Sequence, residues 1–184
     1  IVAESWTVNR VPYEPAGWRD FVSDEIVGFR APYLSTGPGL FAALAESGFV
    51  YDASGVSRGP AAPQPGAVAS FALPTIPEGP KGRPVIAMDY NLFVRHSGGI
   101  ERTDADGAFE ERTLSAFRAA LDAELEGGRN PLQIGLHFTL MNGGAYWRAL
   151  ERFAGEACAR PQVRCVSYRT WLDETAGTDT AAGG

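Results

Sequence analysis

From Phe109 onward the sequence switches repeatedly between two hydrophobic periods, and that alternation limits the possible folds more than any other feature. Leu114, Phe117, Leu121 and Leu125 fall at helical spacing with charged residues between them, which predicts an amphipathic helix ended by Gly127 and Gly128. Leu132 to Phe138 (LQIGLHF) is a short apolar run of strand type, interrupted by Gly135. Ala145 to Ala157 returns to helical spacing, with Tyr146, Leu150, Phe153 and Ala157 on the inner side, and Val163 to Tyr168 reads as a closing strand. Trp171 and Leu172 then dock a final turn. Helices alternating with short apolar strands argue for a parallel sheet or a (β/α) barrel.

The first half carries fewer signals. Thr36 to Glu46 reads as a short helix, with Thr36 as its N-cap, Pro38 in the first turn and Gly48 at the left-handed position that ends it. FVYD (49–52) is a short strand, residues 55–68 form a loop rich in proline and glycine, PVIAM (84–88) is a buried strand ending at Asp89, and 95–108 is a polar loop. This gives four strands at most after residue 28, too few to close a barrel. The chain reads as one domain over residues 1–174, followed by a tail (175–184, TAGTDTAAGG) expected to lack order.

Composition narrows the function. The 184 residues suffice for one core. A formal charge of −6 and no basic patch disfavour nucleic acid and anionic lipid as partners. No apolar run is long enough for a transmembrane helix, so no membrane insertion is expected. The sequence starts at Ile1 without a signal peptide, as a mature secreted protein or a fragment would. Cys158 and Cys165 flank ARPQVR and could close a disulfide or lie as two buried thiols; a bridge would point outside the cytoplasm. Their spacing does not suit a zinc knuckle.

There are only two histidines. His137 lies near the C-terminal end of LQIGLHF, and Asp89 at the C-terminal end of PVIAMD, the end where α/β folds place their chemistry. A carboxylate beside an imidazole fixes its tautomer, so Asp89–His137 is a candidate general-acid pair, against the plainer possibility of a hydrogen-bonded core histidine. His96, in RHSGG, reads as a solvated loop residue. GVSRG (55–59) matches G-x-S-x-G and would make Ser57 a nucleophile, but PAAPQPG after it cannot open the required helix. DADG (104–107) resembles the start of a calcium loop, but Ser115 stands where the bidentate glutamate should be, so a plain turn is expected. In RAPY, Pro32 restricts Ala31 to extended backbone and thereby aims Arg30, whose guanidinium can hold a carboxylate; the amide of Tyr33, after the proline, can serve an oxyanion.

These stretches together resemble a known family. GFRAPYLSTGPGLFAALAESGFVYDAS (28–54), AMDYN (87–91), RNPLQIGLHFT (129–139) and VRCVSYRTWLDE (163–174) resemble, in order, the later motifs of the polysaccharide deacetylase family (NodB-homology, chitin deacetylase-like; carbohydrate esterase family 4). The resemblance covers about residues 26–174 and implies a distorted (β/α) barrel, incomplete at its N-terminal side. It implies hydrolysis of N-acetyl groups on chitin-like or peptidoglycan-like glycans, with zinc or another divalent metal activating water. Arg30 matches the arginine that orients the catalytic base, Tyr33 the oxyanion amide, Asp89 the acid that tunes the histidine, and His137 the general acid. Gly135 stands where many relatives carry a bulkier residue lining the acetyl pocket.

The family's Asp-Asp pair and His-x-x-x-His motif are absent; WTVNR (6–10) has Trp6 and Arg10 at the histidine positions. No metal ligand can therefore be assigned, no metal is expected to be retained, and the chain by itself is expected to be inactive. Water without a metal keeps its ordinary, far higher pKa rather than falling to about 7. Two expectations follow: the C-terminal portion of an ordinary deacetylase, or a degenerate homologue that binds N-acetylated glycan without cutting it. A serine esterase using Ser57 is the third reading.

Overall fold

The longest strand hides behind the turn-rich stretch 55–68. ASFALPTIPE forms β3 (Ala69–Glu78), with Phe71, Leu73 and Ile76 almost wholly buried. In the computed structural model, which describes residues 4–181 and their side chains as far as Thr175, β3 lies between β2 (Tyr51–Ser57) and β4 (Arg83–Ile86), with β1 (Gly28–Phe29) at the far edge of β2. β1, β2 and β3 run parallel, and β4 returns antiparallel through a tight turn in which Gly82 N–H donates to Gly79 O at 3.0 Å. The β2–β3 register breaks between Asp52 and Gly55, a bulge that bends β2 beside the later site.

Seven helices surround this sheet among the described residues: α1 (Ser5–Val8), α2 (Trp18–Glu25), α3 (Leu40–Glu46), α4 (Asp89–Ser97), α5 (Ala108–Glu126), α6 (Met141–Cys158) and α7 (Tyr168–Ala181). α5 and α6 form as their apolar spacing requires. Leu114, Phe117, Leu121, Tyr146 and Phe153 join Ile76 and Leu92 in the main core, and Leu132, Ile134, Leu136 and Val163 pack against it. Each wholly buried Leu or Phe contributes about 2–3 kcal/mol. A smaller cluster holds Ala53, Ala69 and Phe71 against Tyr51, Tyr168, Trp171 and Leu172.

Several sequence expectations shift. Helix α3 starts at Leu40, not Thr36, because Gly37-Pro38-Gly39 makes a turn of its own, with Leu40 N–H on Gly37 O at 3.0 Å; Gly48 is left-handed as expected, at φ 80°. The strand begun at FVYD runs on to Ser57, taking the first residues of the expected loop. The strand at 84–88 is antiparallel and closes at Ile86. Asp89 opens α4, so 89–97 is helix and the loop starts after it. Among the described residues 132–138 form one bridge, Gly135 with Met88, and 163–167 enter no ladder. The final turn is α7, whose described backbone reaches Ala181, into the segment expected to lack order; residues 182–184 lie outside the described residues. Of the alternatives for Cys158 and Cys165, the structure has the disulfide, with Cα atoms 5.6 Å apart.

Candidate functional site

Asp89 and His137 are brought together by backbone first. Gly135 N–H donates to Ala87 O at 2.9 Å and Asp89 N–H donates to Gly135 O at 3.2 Å, so the end of the β4 segment and the run before His137 lie side by side. The Asp89 carboxylate, 1% exposed, then meets three N–H groups: His137 Nδ1 at 2.7 Å and Tyr90 N at 2.7 Å on Oδ1, and His137 N at 2.7 Å on Oδ2. A carboxylate only accepts, so Nδ1 carries the proton and Nε2 is the imidazole's free nitrogen. The His137 side chain is 54% exposed. Trp147 Nε1 donates to His137 O at 3.0 Å, which ties the loop after the histidine to α6.

Arg30 reaches the same place from β1. Its Nε donates to Ala53 O at 2.9 Å and its Nη2 to Tyr168 Oη at 3.0 Å. Its Nη1 lies only 2.9 Å from where a Cβ on Gly135 would stand, so glycine at 135 makes room for the guanidinium. The sequence anticipates a carboxylate partner for Arg30; among the described residues its hydrogen bonds go instead to a carbonyl and a phenol. Tyr51, next to this arginine, has its pKa raised by burial, and further by Tyr168, against the opposing pull of Arg30.

The stretch after Arg30 is pinned from below. Ala31 N–H donates to Ser54 Oγ at 2.7 Å, and Ser54 Oγ donates to the buried Asp52 Oδ1 at 2.6 Å. Ala31 is extended (φ −66°, ψ 136°), as the following proline demands. Tyr33 then turns left-handed at φ 56° within the one-turn helix Pro32–Leu34, and its side chain is fully exposed. The turn uses the amides of Leu34 and Ser35, not that of Tyr33. Arg30, Asp89 and His137 meet around Gly135, and among the described residues no hydrogen bond joins Tyr33 to Asp89 or His137.

The other candidates separate cleanly. His96 is no solvated loop residue. It sits on α4 with its side chain 0% exposed, Nε2 3.2 Å from Glu78 Oε1, and stacks on Phe109 at 5.6 Å. Burial pushes its pKa down, Arg112 adds to that, and Glu78 opposes both. Glu78, itself buried, also accepts Arg112 Nη2 at 2.6 Å and Nε at 2.9 Å. Ser57 lies in β2 and donates to Gly59 O at 2.7 Å, with no helix following it. Asp104 caps α5, accepting Phe109 N at 2.9 Å and Glu110 N at 3.1 Å. Sequence reasoning missed Asp52, Ser54 and Tyr168. The one signal was an acid and a serine in an otherwise apolar strand, YDAS.

Both histidines already face carboxylates, and no group of three or more His, Cys, Asp or Glu among the described residues could hold a metal ion. This donor set does not fit the metal site that the family resemblance implies.

No family model and no curated protein matches the sequence. Among solved structures, one described as "putative polysaccharide deacetylase from Mycobacterium smegmatis" is similar, with a TM-score of 0.54 and 20% identity. The match covers 83% of this chain and 50% of that one, so this chain spans half the length of its structural neighbour. At this identity the likeness shows fold: a mixed α/β sheet-and-helix arrangement of the polysaccharide deacetylase kind, with four strands in this chain.

Proposed function

We propose that this chain is part of a polysaccharide deacetylase of the NodB-homology, chitin deacetylase-like type, a metal-dependent hydrolase for N-acetyl groups on chitin-like or peptidoglycan-like glycans. The observation that carries this reading is the Asp89–His137 pair: a buried carboxylate holding Nδ1 and the main-chain amide of a half-exposed histidine. In amide hydrolysis the water oxygen bonds to the acetyl carbon, the C–N bond breaks, and the departing amine must gain a proton. The attacking water gives up a proton to the catalytic base, and His137, doubly protonated at that stage, is the group assigned to give its Nε2 proton to the amine, with Asp89 as the acceptor that keeps Nδ1 protonated. Arg30 is assigned to orient the catalytic base, and the Tyr33 amide to meet the oxyanion.

The sheet is proposed as part of a distorted (β/α) barrel with further strands. In support, the backbone amides of Leu132–Ile134 and Arg164–Ser167 have no hydrogen-bond partner among the described residues, and the Gln133 carboxamide is buried with neither polar atom bonded. The family's divalent metal is assigned to residues that this chain does not supply. The Cys158–Cys165 bridge favours a location outside the cytoplasm. No helix of the described residues is long and apolar enough to cross a membrane.

A second reading, a degenerate glycan-binding homologue that does not cut, is favoured by the absence of a metal-ligand cluster among the described residues. The test is acetate release from chitin oligomers by a protein containing these residues and a complete barrel. His137→Ala is expected to lower turnover by about 10²–10⁴ with the fold kept. An unchanged rate removes His137 from the mechanism, and sugar binding without acetate release selects the second reading.

A further inference from the structure

Arg30 is held along one edge of its guanidinium. The backbone is fixed first, by the bond from Ala31 N–H to Ser54 Oγ, and Nε of the side chain then donates to Ala53 O at 2.9 Å. Nη2, on the same edge as Nε, donates to Tyr168 Oη at 3.0 Å. Nη1 makes no hydrogen bond among the described residues and lies beside Gly135, whose amide and carbonyl link the end of the β4 segment to the His137 run. Both acceptors are neutral, so the guanidinium is oriented and keeps its whole charge. A carboxylate in the place of the phenol would hold it as well but would neutralise it.

Packing delivers Tyr168 to this place. It opens α7, and its ring centroid lies 4.5 Å from that of Phe71 and 5.3 Å from that of Tyr51. Trp171, one turn on, also contacts Phe71, at 5.7 Å. Tyr51 fits because residue 28 is glycine: a Cβ there would fall 2.2 Å from Tyr51 Oη. Gly135 clears space for Arg30 Nη1 in the same way, so two glycines leave room for one cluster. The run before Tyr168 enters no ladder, and the ring contacts together with the Cys158–Cys165 bridge fix where the phenol stands. Phenylalanine at 168 would fill the same space. The one hydrogen bond of the hydroxyl among the described residues goes to Arg30.

We propose that Tyr168 is the positioning residue for Arg30: its phenol fixes the plane of the guanidinium, so that the free Nη1 arm and the undiminished positive charge are presented on the Gly135 side. The purpose of this restraint rests on the reading of Arg30 given above, and the restraint itself does not. Tyr168 touches no reacting atom and acts only through Arg30. It makes the start of α7, 138 residues further along the chain, a working part of the site.

The test follows the Arg30 side chain by NMR in this chain. With both atoms of one edge bonded, rotation about the Nε–Cζ bond is slow, and the wild type is expected to give separate Nη1 and Nη2 signals. Tyr168→Phe keeps the ring contacts and removes the acceptor, and the two signals are expected to merge. Tyr51→Phe removes the neighbouring phenol but no bond to Arg30, and is expected to leave them separate. Unchanged signals from the buried His96 verify that both variants fold. Merged signals in the wild type, or separate ones in Tyr168→Phe, overturn the proposal. Merging in Tyr51→Phe also overturns it, because the effect is then one of packing. In a protein with these residues and a complete barrel, Tyr168→Phe is expected to lower kcat for acetate release by about 10–100-fold with KM kept. An unchanged kcat removes the positioning role. No acetate release by the wild type of that protein sinks the deacetylase reading alone, and the arginine signals still decide whether Tyr168 holds Arg30.

Discussion

Both carboxylate oxygens of Asp89 are turned to one residue, His137, through Oδ1 to ring Nδ1 and through Oδ2 to the main-chain amide, each at 2.7 Å. The same acid therefore sets where the histidine's backbone lies and which of its nitrogens holds the proton. Replacing Asp89 by Asn leaves one acceptor oxygen for three N–H donors. We expect Asp89→Asn to cost about 1–3 kcal/mol of stability and to turn the Nδ1–H tautomer of His137 into a mixture. Ring ¹⁵N shifts and a denaturant titration measure the two effects; an unaltered tautomer at unaltered stability contradicts the pairing.

Gly135 stands between that pair and Arg30. An added Cβ would lie 2.9 Å from Arg30 Nη1 and 3.3 Å from Leu73 Cδ2. Gly135→Ala should therefore displace the guanidinium from Tyr168 and cost about 1–3 kcal/mol, the range for overpacking. Thermal unfolding reads the cost. A Tyr168→Phe background, in which the bond from Arg30 is already gone, should show a smaller additional loss than the wild type does.

Ser54 relays the buried Asp52 to the amide of Ala31, directly ahead of the RAPY turn. Ser54→Ala leaves the Ala31 N–H without its acceptor and the Asp52 carboxylate with one bond fewer. We expect a loss of about 1–3 kcal/mol and faster hydrogen exchange confined to the amides around Ala31. Slow exchange there in the variant would show that Ser54 is not what fixes the turn.

His96 should make stability depend on pH. Its folded pKa lies below the ordinary value of 6.5, chiefly through burial and then Arg112, with Glu78 and Asp104 pulling the other way. The unfolded chain thus takes up the proton more readily than the folded one. The contribution of the neutral imidazole is complete above about pH 6.5 and is lost as the pH falls through that value toward the folded pKa. Urea unfolding at pH 7.5 and 5.5 is expected to show lower stability at 5.5, and His96→Phe to reduce the difference. An equal difference in the variant would assign the effect elsewhere.

The Cys158–Cys165 bridge joins the end of α6 to the extended run that leads into α7, across a sequence separation of 7. A loop this short stabilises by about 2 kcal/mol through the unfolded state. Reduction, or a Cys158→Ser/Cys165→Ser pair, is expected to lower the unfolding temperature by several degrees. It should leave the Asp89–His137 signals unchanged, because that pair is held by Gly135 and α4. A loss of the His137 signals on reduction would contradict this separation.

Local periodicity alone determined α5 and most of α6. Leu114, Phe117 and Leu121 repeat at helical spacing and could bury only as α5, and the residues from Ala145 onward likewise specified the regular part of α6. The candidacy of Asp89, His137 and Arg30 was also readable from their places beside short apolar runs and a proline. Only the tertiary structure decided which partners those residues take. Among the described residues Arg30 binds Ala53 O and Tyr168, not a carboxylate, and Thr36 caps no helix; His96 is buried against Glu78, and β4 runs antiparallel. The physical reason is range. Helical spacing and turn residues act over a few neighbours, whereas strand direction, the burial of an imidazole and the acceptor of a guanidinium depend on contacts across as many as 138 residues of sequence, as between Arg30 and Tyr168, which no local pattern records.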